Sequence, residues 1–206
     1  MARFTSSILG EASGNAGRAN FYRWRGKQFV RGRMIERGNA NATAAQLSVQ
    51  QRFAVLSEFL KRVTMALKFG FVKVPEGKTF LNVAFSANWA HLSNIAGTWV
   101  LSPASMVLSN GTDSFAITAT QTGTTFNFKW APPKTGDAYY KDGQLVAAAR
   151  CDETGKILTF ISDLSNASAT LDYSSIISST NDEIDLWYFA STGAISSPTQ
   201  YKSSAE

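Results

Sequence analysis

The sequence predicts an α+β fold: a basic N-terminal arm, one long and one shorter helix, then a C-terminal antiparallel β-sandwich. Three observations predict it. Residues 1–42 are punctuated by glycine and hold arginines without a hydrophobic period. Residues 43–97 step their apolar side chains by three and four, the spacing of one helix face. From Thr98 onward, short runs of β-branched and aromatic residues are separated by turn dipeptides. The expected segments are therefore an arm over 1–42, a helical segment over 43–97 and a sandwich over 98–206.

In the first segment Gly10, Gly14, Gly17, Gly26, Gly32 and Gly38 argue against a long regular element. An extended arm that orders on contact is expected, with at most a short strand in "QFVRGRM". Within it, "NFYRWRGKQFVRGR" interleaves Arg23, Arg25, Lys27, Arg31 and Arg33 with Phe21, Tyr22, Trp24 and Phe29 and holds no acid. Arg18 and Arg37 extend the basic character on either side. Cations among aromatic rings can grip phosphates and stack on bases. The same residue types anchor protein interfaces. Trp24-Arg25-Gly26 is a defined motif rather than a diffuse tail. It favours docking on protein, with nucleic-acid contact as the alternative.

Thr43 followed by Gln46 forms a capping box, in which each side chain satisfies a free backbone N–H. Val49, Phe53, Leu56, Leu60, Val63 and Leu67 then make one apolar stripe of a helix over 43–70, with Gly70 as its stop. The stripe fits packing against the chain's own sandwich or second helix, or a seam between subunits. A second helix is expected over 81–96, where Phe85, Trp89, Leu92 and Ala96 keep the spacing and Gly97 ends it.

The strand candidates are "SMVLS", "SFAITAT", "TTFNFKW", "QLVAAARC", "KILTFIS", "ATLDY", "EIDLWYFA" and "AISSPTQY". Asn110-Gly111, Thr122-Gly123, Pro132-Pro133, Asp142-Gly143, Thr154-Gly155 and Thr192-Gly193 mark turns between them. Phe126, Phe128 and Trp130 alternate with polar neighbours, the pattern of a hairpin with one buried face. Strands of this number and length suit a sandwich of the immunoglobulin or fibronectin kind. With Cys151 the only cysteine, the fibronectin-like version is favoured. Residues 98–206 are expected to fold alone.

The bulk composition bounds the function. The 206 residues are 44% apolar and 17% charged, enough for one domain with an extension or two small ones. A net charge of +5 hides a split: residues 1–73 carry +10 and residues 74–206 carry −5. A basic segment of this kind looks for an acidic partner, either nucleic acid or the acidic half of a neighbouring copy. A lone cysteine rules out an internal disulfide. No run of about eighteen apolar residues offers a membrane span, so no membrane partner is expected. The opening "MARFTSSILGEASG" lacks the apolar stretch of a signal peptide. The expectation is a protein kept inside the cell that makes it, or released without a cleaved signal.

Catalytic chemistry needs convergent titratable groups, and the sequence offers few. His91 is the only histidine. A Cys151–His91 pair is conceivable, but "AAARCDETG" reads as a strand entering a turn with a structural thiol. There is no glycine-rich phosphate loop, no metal-ligand spacing and no nucleophile elbow. Asp152, Glu153, Asp182, Glu183 and Asp185 gather near turns. "STNDEIDLW" is a weak calcium candidate beside the simpler reading of a solvated turn. No enzyme and no cofactor are expected.

Several residues in order carry a resemblance: Trp24-Arg25-Gly26, Gln46 and Gln51-Arg52, Leu108-Ser109 before Asn110-Gly111, Trp130, and Tyr201 near the end. With "NVAFSANWA", "KDGQLVAAA" and "SSPTQY", the chain resembles, over nearly its whole length, an uncharacterised family of proteins of about this size from Bacteroidota and their phages. Asn110-Gly111 stands where that family has Arg-Gly, and Ser197-Pro198-Thr199-Gln200-Tyr201 where it has Ser-x-Ser-x-Tyr. The resemblance implies a β-sandwich protein of the phage virion, such as a capsid, head-associated or tail component, made in the host cytoplasm. Its partners would be copies of itself and other virion proteins. A nucleic-acid-binding protein using the arm, or a surface-adhesion sandwich module, are the alternatives.

Overall fold

The computed structural model describes residues 2–3, 14–16, 18–24, 26–32 and 42–204. The chain divides into two units, Met1–Leu47 and Ser48–Glu206.

In the first unit, β1 (Ala2–Arg3), β2 (Gly14–Ala16), β3 (Ala19–Trp24) and β4 (Lys27–Gly32) form one antiparallel sheet in the order β1-β4-β3-β2. The β3–β4 hairpin pairs Ala19 with Gly32 at its open end and Trp24 with Lys27 at its tip. Gly26 sits at φ +73° in that tip, where a side chain would be strained. Over the described residues of the expected arm, the backbone is a small sheet instead of a single extended strand. The glycines mislead because Gly14, Gly26 and Gly32 fall at strand ends and in a turn. Between them, "ANFYRW" and "KQFVRG" are rich in aromatic and β-branched residues. Arg25, Arg33 and Arg37 lie outside the described residues.

The capping box forms as expected: the Thr43 N–H donates to Gln46 Oε1 at 3.0 Å and the Gln46 N–H to Thr43 Oγ1 at 3.3 Å. It starts α1 (Ala44–Arg62). The single helix expected over 43–70 is broken at Val63, and α2 (Thr64–Gly70) follows. The break has a local cause. The Thr64 hydroxyl lies 2.6 Å from the Lys61 carbonyl and 3.1 Å from that of Leu60, a back-bond that bends helices.

The second expected helix is shorter than its periodicity suggests. α3 (Phe80–Asn88), capped by Thr79, gives way to a 3-10 turn at Trp89–His91. A hairpin of β5 (Leu92–Ile95) and β6 (Thr98–Leu101) follows. Ala96 at φ 50° and Gly97 at φ 87° are two successive left-handed residues, the backbone of a tight hairpin turn. Gly97 therefore closes a hairpin rather than a helix.

Seven further strands follow: β7 (Ile117–Thr122), β8 (Thr125–Trp130), β9 (Gln144–Cys151), β10 (Ile157–Asp163), β11 (Ser168–Asp172), β12 (Ile184–Ser191) and β13 (Gln200–Ser203). They build two antiparallel sheets, β11-β8-β7 and β10-β9-β12-β13. "SMVLS" is not a strand. The N–H groups of Leu108 and Ser109 go instead to the Thr199 hydroxyl, at 2.9 and 2.7 Å.

The core lies in two layers. Phe126, Phe128 and Trp130 of one sheet pack with Leu145, Ala147, Leu186 and Tyr188 of the other. On the opposite face of the four-stranded sheet, Val146, Ala148, Trp187 and Phe189 pack with Leu56, Phe59, Leu60, Val63 and Leu67. That sheet is covered on both sides, so β9 and β12 read as continuous apolar runs rather than alternating ones. The chain is α+β, a helical layer on a β-sandwich. The stripe residues Leu56, Leu60, Val63 and Leu67 are buried in this layer, whereas Val49 and Phe53 remain 56% and 55% exposed.

Candidate functional site

In an antiparallel pair, residues directly opposite share a face. Register thus places Asn20 with Arg31, Tyr22 with Phe29, and Trp24 with Lys27 on one face of the N-terminal sheet. Tyr22 and Phe29 stack with ring centroids 5.6 Å apart and planes 19° apart. Trp24 meets Phe29 edge-on at 6.4 Å. The Arg31 guanidinium lies 5.5 Å from the Tyr22 ring centroid, within cation–π range. Asn20 Nδ2 donates to Asn15 Oδ1 at 2.6 Å at the outer edge. Trp24 is 52% exposed. Of the basic residues singled out from sequence, Lys27 and Arg31 flank the rings, Arg23 pairs with Gln28 on the other face, and Arg18 is exposed just before β3. Three rings with a cation at either end can take up a flat apolar group, an anionic chain, or both.

The second unit holds a cleft of about 570 Å³ between an apolar wall that includes Trp99, Leu101 and Pro103 and a polar floor from the ends of β9 and β12. Asp185, 4% exposed, accepts from the Tyr201 hydroxyl at 2.7 Å and pairs with Arg150 at 3.4 Å. Arg150 also pairs with Asp152. Burial raises the Asp185 carboxyl above the usual carboxylate range, against the pull of Tyr201 and Arg150. Burial, then the bond to Asp185, raises the Tyr201 hydroxyl. The deep charge is therefore enclosed, and the exposed carboxylates of Asp152 and Glu183 remain at the rim.

The acids near Cys151 do converge. Ligand atoms of Cys151, Glu153 and Asp182 all lie within 4.8 Å of one another. Their oxygens are engaged, however. Asp182 Oδ2 accepts from the Ser178 N–H at 2.6 Å, the Ser178 hydroxyl at 2.8 Å and the Ser179 N–H at 3.1 Å. Glu153 accepts from the Glu183 N–H at 3.1 Å. The Ser178 N–H above all holds the Asp182 carboxyl below its ordinary range. This is a loop clamp around a buried thiol whose S–H donates to Glu153. His91 sits in the 3-10 turn after α3.

Sequence reasoning missed a further arrangement. The Arg52 guanidinium lies between the rings of Trp89 and Trp99, 4.3 and 4.6 Å from their centroids, and donates to the Trp89 carbonyl. Trp99 Nε1 in turn donates to Ser48 Oγ at 3.0 Å. Only the Gln51-Arg52 motif hinted at it. Beside this cage, exposed Phe53 lies 4.8 Å from the ring of Phe85, and Phe53, Leu60, Leu81 and Phe85 line a shallow apolar groove of about 360 Å³. No protein-family model matches the chain, and no curated protein matches it.

Proposed function

We propose that this chain is a non-enzymatic structural protein, a phage virion component, that assembles by docking its N-terminal sheet on a protein neighbour. The observation that supports the docking is Trp24: a large ring, 52% exposed, at a hairpin tip opposite Lys27 and in edge contact with Phe29. Tryptophan, tyrosine and arginine are the side chains enriched among the few that supply most binding energy at protein interfaces. The virion setting rests on the resemblance carried by Trp24-Arg25-Gly26, Trp130 and Tyr201.

The sandwich is read as fibronectin-like. Counting β7–β13 as strands one to seven, the sheets run 5-2-1 and 4-3-6-7. The constant-type immunoglobulin sandwich keeps its fourth strand beside the fifth; here it has moved to the edge beside the third.

Light scattering on the full chain and on a form lacking residues 1–42 tests the docking. The shortened form is expected to keep its unfolding transition and to lose association. Trp24→Ala is expected to weaken association by about 2 kcal/mol. Undiminished association of the shortened form would overturn the proposal. The stacked rings with flanking cations also suit single-stranded nucleic acid. Salt-sensitive binding of a labelled oligonucleotide, lost in Trp24→Ala, would move the function to that reading.

A further inference from the structure

We infer that the cleft between β6 and β12 receives the hairpin tip of a second copy, with the Trp24 ring against its apolar wall and the Lys27 ammonium between Asp152 and Glu183. This inference rests on the docking reading above.

Size, charge and pattern point to this occupant. The cleft, about 570 Å³, falls within the range of sites that enclose a ligand group. Residues 74–206 carry −5 and residues 1–73 carry +10, so unlike halves of two copies attract. The pattern is more specific than the net charge. Register sets Trp24 and Lys27 side by side on one face of the tip, a flat ring next to a cation. The cleft offers the reciprocal pair, the half-buried Trp99, Leu101 and Pro103 next to exposed Asp152 and Glu183. Asp185 is already held by Tyr201 and Arg150, which leaves the rim acids to meet an incoming cation. Arg150 partly offsets Asp152, while among the described residues the Glu183 carboxylate accepts only a hydroxyl, from Ser203 at 3.1 Å. Glu183 is therefore the principal partner of Lys27.

Tip and cleft are different patches of the same chain. A contact between them is head-to-tail, and repetition of such a contact builds rings or open arrays instead of a closed dimer. That is the form of assembly a shell or tail component uses.

A charge swap in the full-length chain tests the inference by light scattering at low salt. Lys27→Glu and Glu183→Lys are each expected to weaken self-association about tenfold or more, and an equimolar mixture of the two to restore it. Wild-type association of either variant alone, or a mixture that stays dissociated, would overturn the inference. If Glu183→Lys lowers the melting temperature, Asp152→Asn combined with Glu183→Gln removes the same charge without adding one. Full association of that double variant overturns the inference equally. Loss of association on removing residues 1–42, with no effect of the cleft variants, sinks the cleft and leaves the docking reading standing. Absence of association in the wild-type chain sinks both.

Discussion

The hydroxyls of Ser109 and Ser196 lie 3.0 Å apart in the buried junction at the end of α2. Ser196 Oγ donates to the Gly70 carbonyl at 2.9 Å, and Ser109 Oγ to the Ser197 carbonyl at 2.5 Å. The Asn110 N–H reaches the same Gly70 carbonyl at 3.3 Å. The last carbonyls of a helix have no partner within it, and here loop groups supply one. Leu108-Ser109-Asn110-Gly111 and Ser196-Ser197-Pro198-Thr199 are thus two halves of one clasp. These two distant segments hold helix and sandwich together.

Gly70→Ala tests that clasp. A Cβ at Gly70 would stand 1.9 Å from the Leu108 carbonyl oxygen, a backbone atom that cannot step aside alone. The expected loss is about 3 kcal/mol, visible as a lower urea midpoint. Ser196→Ala should cost less, about 1–3 kcal/mol, by leaving buried polar groups short of a bond. Wild-type midpoints for both would mean the junction is loose.

The helix stripe should behave as two halves. Leu60 is 3% exposed and Val49 is 56% exposed. Leu60→Ala is expected to destabilise by about 2–5 kcal/mol. Val49→Ser should stay within about 0.5 kcal/mol of wild type. Equal effects in thermal melts would show that the exposed half is also packed.

These halves mark how far the sequence could be read. The period of three and four identified α1 and its buried face, and alternation identified β7 and β8. Neither signal says where a core ends, so Val49 and Phe53 keep the period on solvent-facing turns. Leu92 and Ala96 also kept helical spacing, yet the left-handed pair Ala96-Gly97 made a hairpin. A single apolar pattern over so few residues fits both structures. In β9 and β12 alternation vanishes because both faces are covered, a fact visible only once the helices are in place. The cleft was illegible for a related reason: Trp99, Asp152, Glu183 and Tyr201 lie far apart in the chain. Trp24, Lys27 and Arg31 could be grouped from sequence because one hairpin holds them, but the sequence did not separate them from Arg23, which register puts on the other face.

Residues 98–206 are expected not to fold alone, against the reading from sequence. Val146, Ala148, Trp187 and Phe189 are all fully buried, and the helices form much of their cover. Losing that cover would expose an apolar face across the middle of the sheet. Residues 43–206, which retain α1–α3, should give a cooperative thermal transition by circular dichroism. The same cooperative transition in 98–206 would show that the sandwich core suffices.

Asp185 should impose an acid-side signature on stability. Its folded carboxyl titrates above the ordinary range because burial disfavours the charge. Below the unfolded value the group is protonated in both states and contributes nothing. As pH rises, the unfolded chain ionises first and unfolding is favoured; above the folded value the penalty is complete and constant. Asp185→Asn removes the titration while leaving an oxygen to accept from Tyr201, and Arg150 retains Asp152. Urea midpoints of variant and wild type, taken in steps from about pH 3 to pH 7, should therefore diverge in the variant's favour as pH rises. If the wild type gains on the variant instead, Arg150 and Tyr201 outweigh burial, and Asp185 is a stabilising ion pair.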